Sequence, residues 1–258
     1  MIDINALKIG YKSGKSVEKV VSENLNMSLP LGHLVLLIGP NGSGKSTLLR
    51  TICKMQKPLG GTILIDDVNI DDLNEIDLAK KISVVQSTAP KIDNFTVREV
   101  VAFGRYPYSN IFGKLSSSDY EMVDKAIDMV GIEKLAAANF NAISDGEKQK
   151  AMIAKSLAQD TPYIIMDEPM AFLDYKSRIE LFDLLKMMNR KENKGIVLST
   201  HNLEMALRTA DALWIFDGDS KFTNVNSVDT LDNNLFKQLF DEKTAEYLSN
   251  LQQKKFKV

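Results

Sequence analysis

The sequence predicts an α/β fold: a mostly parallel core sheet built around a phosphate-binding loop, an antiparallel β region at the start and an inserted helical segment. Three observations predict it. Leu34-Val35-Leu36-Leu37-Ile38 is a continuous apolar run, as expected of a strand buried on both faces. That run leads into Gly39-Pro40-Asn41-Gly42-Ser43-Gly44-Lys45-Ser46-Thr47, which matches G-x-x-x-x-G-K-[ST] and opens a helix. Further apolar runs, Ile82–Val85, Tyr163–Met166, Gly195–Ser199 and Leu213–Phe216, then alternate with stretches of helical spacing. Such alternation predicts parallel pairing.

Composition bounds the possibilities. The chain has 258 residues, enough for one domain or two closely joined lobes, with 44% hydrophobic and 26% charged residues. A net charge of −2 gives no electrostatic footprint for nucleic acid or an anionic membrane surface. Cys53 is the only cysteine, so an intramolecular disulfide and a cysteine metal cluster are excluded. The N-terminus lacks a basic-then-apolar signal, and no apolar run approaches the roughly 20 residues that span a bilayer. A cytoplasmic chain is expected, with any membrane role exercised through a partner.

Each element follows from its own pattern. Ile2 to Leu29 is mostly period two, with turn signals at Ser13-Gly14 and near Glu23-Asn24, and predicts an antiparallel hairpin region. Tyr11 closes its first strand, where an aromatic can pack or stack on a flat base. Thr47 to Lys54 is helical, and Pro58-Leu59-Gly60-Gly61 breaks it. A strand at 62–66 and a short helix from Leu73 to Lys80 precede the Ile82–Val85 strand. Apolar spacing is helical from Ile92 to Ala138, with Gly131 stopping the second helix and Gly104-Arg105-Tyr106-Pro107-Tyr108 as a loop between helices. Helices are predicted at Glu147–Ala158, Tyr175–Lys191 and Leu203–Thr209, and Asp217-Gly218 is a hairpin turn signal. Trp214 is expected in the core. The chain after Lys221 is expected to form a polar strand and short helices, too short for a further regulatory domain.

Several groups can carry chemistry. The glycine-rich turn lets backbone N–H groups point inward as an anion site, and the helix from Lys45 adds its N-terminal partial charge. Lys45 can reach β- and γ-phosphates, and Ser46 can ligate Mg²⁺. Asp167 and Glu168 follow a buried strand at the edge where ligands of such sheets bind. Asp167 can hold the Mg²⁺ shell, and Glu168 can polarise an attacking water. Ser144 is a candidate N-cap with Glu147 at the capping-box position, and such a helix start is also a second phosphate site. Gln86 can reach Mg²⁺ and the attacking water. His201, after Ser199-Thr200, can hydrogen-bond a γ-phosphate. His33 lies before the loop strand, at the opposite sheet end, and is expected to be structural.

Taken together, the order phosphate loop, Gln86, helical insertion, Ser144-Asp145-Gly146-Glu147, Asp167-Glu168, Ala171-Phe172-Leu173-Asp174, His201 resembles the ATP-binding subunit of ATP-binding cassette (ABC) transporters, a branch of the P-loop NTPases. The resemblance covers about the first 220 residues. It implies an ATPase that uses ATP and Mg²⁺, with residues 1–225 as the ATPase domain, a helical subdomain inserted at about 90–160, and 226–258 as a helical tail. It implies that Tyr11 stacks on adenine and that Asp174 lies in the loop contacting the opposite subunit. It implies a head-to-tail homodimer in which Lys45 of one copy and Ser144 and Gly146 of the other hold each ATP. Glu147, beside them, is included in that nucleotide set. A separate permease would carry the spans, so the subunit would sit at the cytoplasmic face of the membrane and bind no nucleic acid.

The resemblance has departures. The usual signature is L-S-G-G-Q, whereas this chain has Ile143-Ser144-Asp145-Gly146-Glu147. Two carboxylates there would repel a triphosphate unless turned away or offset by Lys148 and Lys150. Met170 replaces a common threonine or serine. Val97 to Pro107 resembles the corresponding segment in importers of iron–siderophores, haem and cobalamin. Tyr106 and Tyr108 could be ordinary packing or a permease contact. Two other classes remain: a soluble cassette acting on ribosomes or DNA, and a small-molecule kinase. The first usually carries tandem cassettes, coiled coils or basic arms. The second would need neither a signature helix nor His201.

Overall fold

Ile2, Ile4, Leu7 and Ile9 are buried, and the step from Ile4 to Leu7 is three residues where a strand needs two. Ala6 resolves the mismatch by taking φ 47°, and the ladder shifts register there, so Leu7 returns to the buried face. The same accommodation appears on the partner strand at Asn24, with φ 58°. The expected turn near Glu23-Asn24 is therefore a bulge inside one strand. Asparagine's tolerance of left-handed backbone, which suggested the turn, serves the bulge equally well.

The computed structural model describes residues 1–13, 17–201, 207–217 and 221–228, with the single positions 237 and 246. In chain order the elements are β1 (Ile2–Ser13), β2 (Val17–Leu29), β3 (Leu34–Ile38), α1 (Lys45–Ile52), β4 (Gly60–Ile65), β5 (Val68–Asn69), α2 (Glu75–Ala79), β6 (Ile82–Val85), α3 (Val97–Ala102), α4 (Ser117–Met129), α5 (Asp145–Ala158), β7 (Tyr163–Met166), α6 (Tyr175–Glu192), β8 (Gly195–Thr200), β9 (Ala212–Phe216) and β10 (Phe222–Val225). The expected helix at Leu203–Thr209 and the tail 226–258 lie mostly outside the described residues.

The chain divides into two units. The first is Met1–Asp72 with Gly195–Val258, and the second is Leu73–Lys194. In the first, β2, β1, β4 and β5 form an antiparallel sheet in that order. Beside it in sequence, β3 pairs in parallel with β8 and β9, and β10 adds an antiparallel edge to β9. β3, β8 and β9 are buried at every position, which is what a continuous apolar run needs. Trp214 sits in β9 in register with Leu37 and is 1% exposed. Cys53 is buried.

In the second unit β6 and β7 pair in parallel, Val85 opposite Met166. Helices α3, α4 and α5 pack on one another, and Val97, Val100, Val101, Val123, Ile127 and Ile153 on them are buried. The segment expected as a loop at Gly104–Tyr108 is a 3-10 helix, Phe103–Tyr108, continuing directly from α3. Its entry is set by close approach: a Cβ on Gly104 would lie 2.2 Å from the Lys155 carbonyl oxygen of α5. Tyr106 is exposed, whereas Tyr108 is half-buried with the Arg105 guanidinium 4.0 Å from its ring centre. Arg105 is itself held by Asp119 at 2.9 Å. Among the described residues no helix is long and apolar enough to cross a membrane.

Candidate functional site

In the first unit, the phosphate loop leaves β3 at Gly39. The neighbouring strand explains why glycine stands there: a Cβ would lie 2.6 Å from the Phe216 carbonyl oxygen, and φ is 152°. Gly44 is constrained likewise, at φ 113° with Val21 Cγ1 2.6 Å from a built Cβ, and it N-caps α1. Gly42 has φ 81° and open space around it. Pro40 and Asn41 are exposed, and Ser46 is half-buried.

The start of α1 differs from every other described α-helix. Asn74, Thr96, Ser116, Ser144 and Asp174 cap α2 to α6 with side-chain oxygens. Gly44 supplies none, and the first turn of α1 contains no acidic residue. Backbone donors are thus presented without a side-chain acceptor beside the positive end of the helix. Ser43 Oγ is buried and makes no hydrogen bond among the described residues. The Lys45 ammonium, 5% exposed, donates to the Gly39 and Pro40 carbonyls at 2.8 and 3.0 Å. These groups fit an anionic ligand. Tyr11, half exposed, has its hydroxyl 2.9 Å from Thr47 Oγ1, which places the aromatic over the same helix start. His201 is exposed and lies one residue beyond the Ile38–Thr200 register pair, at the sheet edge from which Gly39 leaves.

In the second unit, Gln86 and Asp167 lie one residue beyond the Val85–Met166 pair, at the C-terminal edge of the two parallel strands. Asp167 is buried, and its N–H donates to the Val85 carbonyl at 2.8 Å. Glu168 takes φ 45°, a strained backbone for this residue type, as the chain turns at once so that Ala171 N–H meets the Glu168 carbonyl. Among the described residues no group of three or more His, Cys, Asp or Glu side chains could hold a metal by itself.

Ser144, Asp145, Gly146 and Glu147 open α5. The Glu147 carboxylate turns back, accepting from Ser144 N–H at 2.8 Å and Ser144 Oγ at 2.7 Å. The Ser144 hydroxyl, more than its backbone, holds the Glu147 carboxyl below its ordinary range, and Lys150 adds to this. Glu147, expected among the nucleotide-contacting residues, is here committed to the cap. Asp145 is exposed, with Lys148 3.4 Å away. Gly146 lies against the next loop, where a Cβ would meet the Phe172 carbonyl oxygen at 2.9 Å. Asp174 caps α6, accepting from Ser177 N–H at 2.7 Å, and that bond lowers its pKa. Sequence reasoning passed over Gln149 of α5, which is buried and whose Nε2 donates to the Gln86 carbonyl. The available signal was its place in the stripe 149, 152, 153, 156, a helix face that also carries Met152, Ile153 and Ser156.

Comparison with known proteins agrees with this chemistry. Residues 22–171 match the family model for ABC transporters. The chain is 37% identical over 247 residues to an uncharacterized ABC transporter ATP-binding protein, MJ0873, of Methanocaldococcus jannaschii, covering 96% of this chain and 83% of that protein. It is 38% identical over 207 residues to the ferric enterobactin transport ATP-binding protein FepC of Escherichia coli, covering 80% and 74% respectively. A solved dimeric structure of a post-hydrolysis state of the cassette MJ0796, bound to ADP and Pi, superposes with a TM-score of 0.79 at 27% identity, over 88% of this chain and 99% of that one. With a phosphate loop, paired acids and a capped signature helix in the family's order, the chain belongs to the ABC transporter family, as one of its ATP-hydrolysing subunits.

Proposed function

We propose that this protein is the ATPase of an importer, energising uptake of an iron–siderophore, haem or cobalamin-type metal chelate through a separate permease at the cytoplasmic face of the membrane. The observation that carries the ATP chemistry is the uncapped, acid-free start of α1 beside the buried Lys45. The cargo class rests on relatives such as the ferric enterobactin protein and on the Val97–Pro107 segment.

In this reading Gly39 to Thr47 cradle the phosphates, and Lys45 exchanges its two loop carbonyls for phosphate oxygens. Tyr11 stacks on adenine. Mg²⁺ would be held by Ser46, Asp167 and Gln86, and when bound it would neutralise phosphate charge. Glu168 takes the proton of the attacking water, and His201 donates to the γ-phosphate. Two copies pair head to tail, so that Ser144 and Gly146 of one face the γ-phosphate held by the other, with Asp174 at the contact. Binding energy that favours the closed pair drives the permease, and hydrolysis releases it. The reading puts the permease contact at the groove of about 770 Å³ lined by Phe95, Arg98, Phe103, Tyr106 and Tyr120, whose exposed aromatics support it. The adjoining loop exposes Ile111 at 93% and Phe112 at 79%.

The test is to tag the chain, solubilise membranes gently and identify what copurifies. A polytopic permease is expected, and its substrate-binding partner would identify the cargo. Recovery with ribosomes, or alone from the soluble fraction, would overturn the transport reading and leave the ATPase standing.

A further inference from the structure

Side chains join α5 to β6 along its length. Gln149 Nε2 donates to the Gln86 carbonyl at 3.3 Å, and Ser156 Oγ donates to Ser83 Oγ at 2.7 Å. Gln159 Nε2 donates to the carbonyls of Ile82 and Ala79 at 3.1 and 2.6 Å. The positions run in opposite senses: 149 meets 86, 156 meets 83, 159 meets 82. Helix and strand are thus held in one register from the signature end to the far end.

The Gln149 member is the one that packing does not explain. It is 1% exposed, and its Oε1 is buried without a partner among the described residues. An apolar side chain of that length would fill the space without a desolvated, unpaired acceptor. Met152 and Ile153, one turn on, show that the stripe accepts such residues. What the amide adds is a donor on the main chain of Gln86, where β6 ends. At 3.3 Å this bond is longer than the Ser156 and Gln159 bonds, so the seam is least tight at its site end.

We propose that Gln149 is a positioning residue for ATP hydrolysis: it ties the Gln86 main chain to α5, so that Ser144 at the start of the helix and Gln86 at the end of the strand move as one body. The inference rests on the roles proposed above for Gln86 and Ser144. A displacement of the helix start when Ser144 engages a γ-phosphate is then delivered to Gln86 through the seam.

The experiment measures steady-state ATPase against ATP concentration for the wild type and for Gln149→Met, Gln86→Ala and the double variant, with melting temperatures. Methionine keeps the length and removes the donor. Gln149→Met is expected to lower kcat by about tenfold, with KM changed less than about twofold and the melting temperature not lowered. The double variant is expected to be no slower than Gln86→Ala, because Gln149 holds only the Gln86 main chain and has no side chain left to position once Gln86 is alanine. An unchanged kcat, a loss confined to KM, or losses that multiply in the double variant would overturn the proposal. A wild-type rate for Gln86→Ala would instead overturn the reading of Gln86 on which it rests. Gln149→Leu, which also removes the donor, gives a second variant of the same kind. It is expected to lose kcat in the same way with KM nearly unchanged, and a wild-type kcat for it counts against the proposal even if Gln149→Met does not fold.

Discussion

Lys45, 5% exposed, donates to two carbonyls of its own loop, a pairing that a triphosphate can outbid because its oxygens are charged. Lys45→Ala should weaken binding of a fluorescent ATP analogue by at least about tenfold, as for loss of a charge-assisted bond, and a titration reads this directly. At the signature, Ser144→Ala removes a cap and, on the proposed reading, a phosphate donor together, so ATPase activity should collapse. Asp145→Gly, at an exposed position beside Lys148, should leave the rate within severalfold. Equal losses in the two variants would assign Asp145 a direct role. Glu147 also makes a pH prediction. Its folded pKa lies below its ordinary value, so its stabilising effect is complete above that value and is lost as the pH falls through the folded one. Glu147→Gln should therefore lower the melting temperature at neutral pH, where the charge stabilises, and converge with the wild type at acid pH, so that the acid limb of the profile is flattened. The phosphate loop, the paired acids and the Ser144 cap were legible at this scale because each is a short pattern with a local cause. That Gly39 must clear the Phe216 carbonyl was not, since the partner lies 177 residues away along the chain.

Elements with one dominant period were equally plain. β3, β8 and β9 announced themselves as unbroken apolar runs, and α4 and α6 as stripes bounded by caps. Misreadings came where one residue type serves two backbones. Asn24 gives a turn or a bulge, and only the partner strand decides between them. Gly104 with Pro107 suggested a loop, yet glycine here admits the α5 backbone and proline is tolerated in the short 3-10 turn. This second case is testable. Gly104→Ala places a methyl group 2.2 Å from a backbone oxygen that cannot rotate away. A loss of about 1–3 kcal/mol, as for overpacking, should appear in denaturant unfolding.

At the scale of the whole chain, the proposed chemistry is divided between the two units: loop, Tyr11 and His201 in one, Gln86, Glu168 and the signature in the other. That division explains why composition was uninformative while the order of motifs was decisive. Glu168→Gln should accumulate an ATP-bound dimer, seen as a doubled mass by light scattering during size-exclusion chromatography. Rapid turnover by that variant would remove Glu168 as the base. Trp214, the chain's single tryptophan, stands in register with Leu37, two residues before the phosphate loop. The molecule thus carries a built-in optical label confined to one of its units. Excitation at the red edge of indole absorption follows the unfolding of that unit alone, while far-ultraviolet dichroism weighs most of the helices of the other. Coincident transitions would identify a single cooperative block, and an emission transition that rises with ATP in the wild type but not in Lys45→Ala would report nucleotide binding without any added dye.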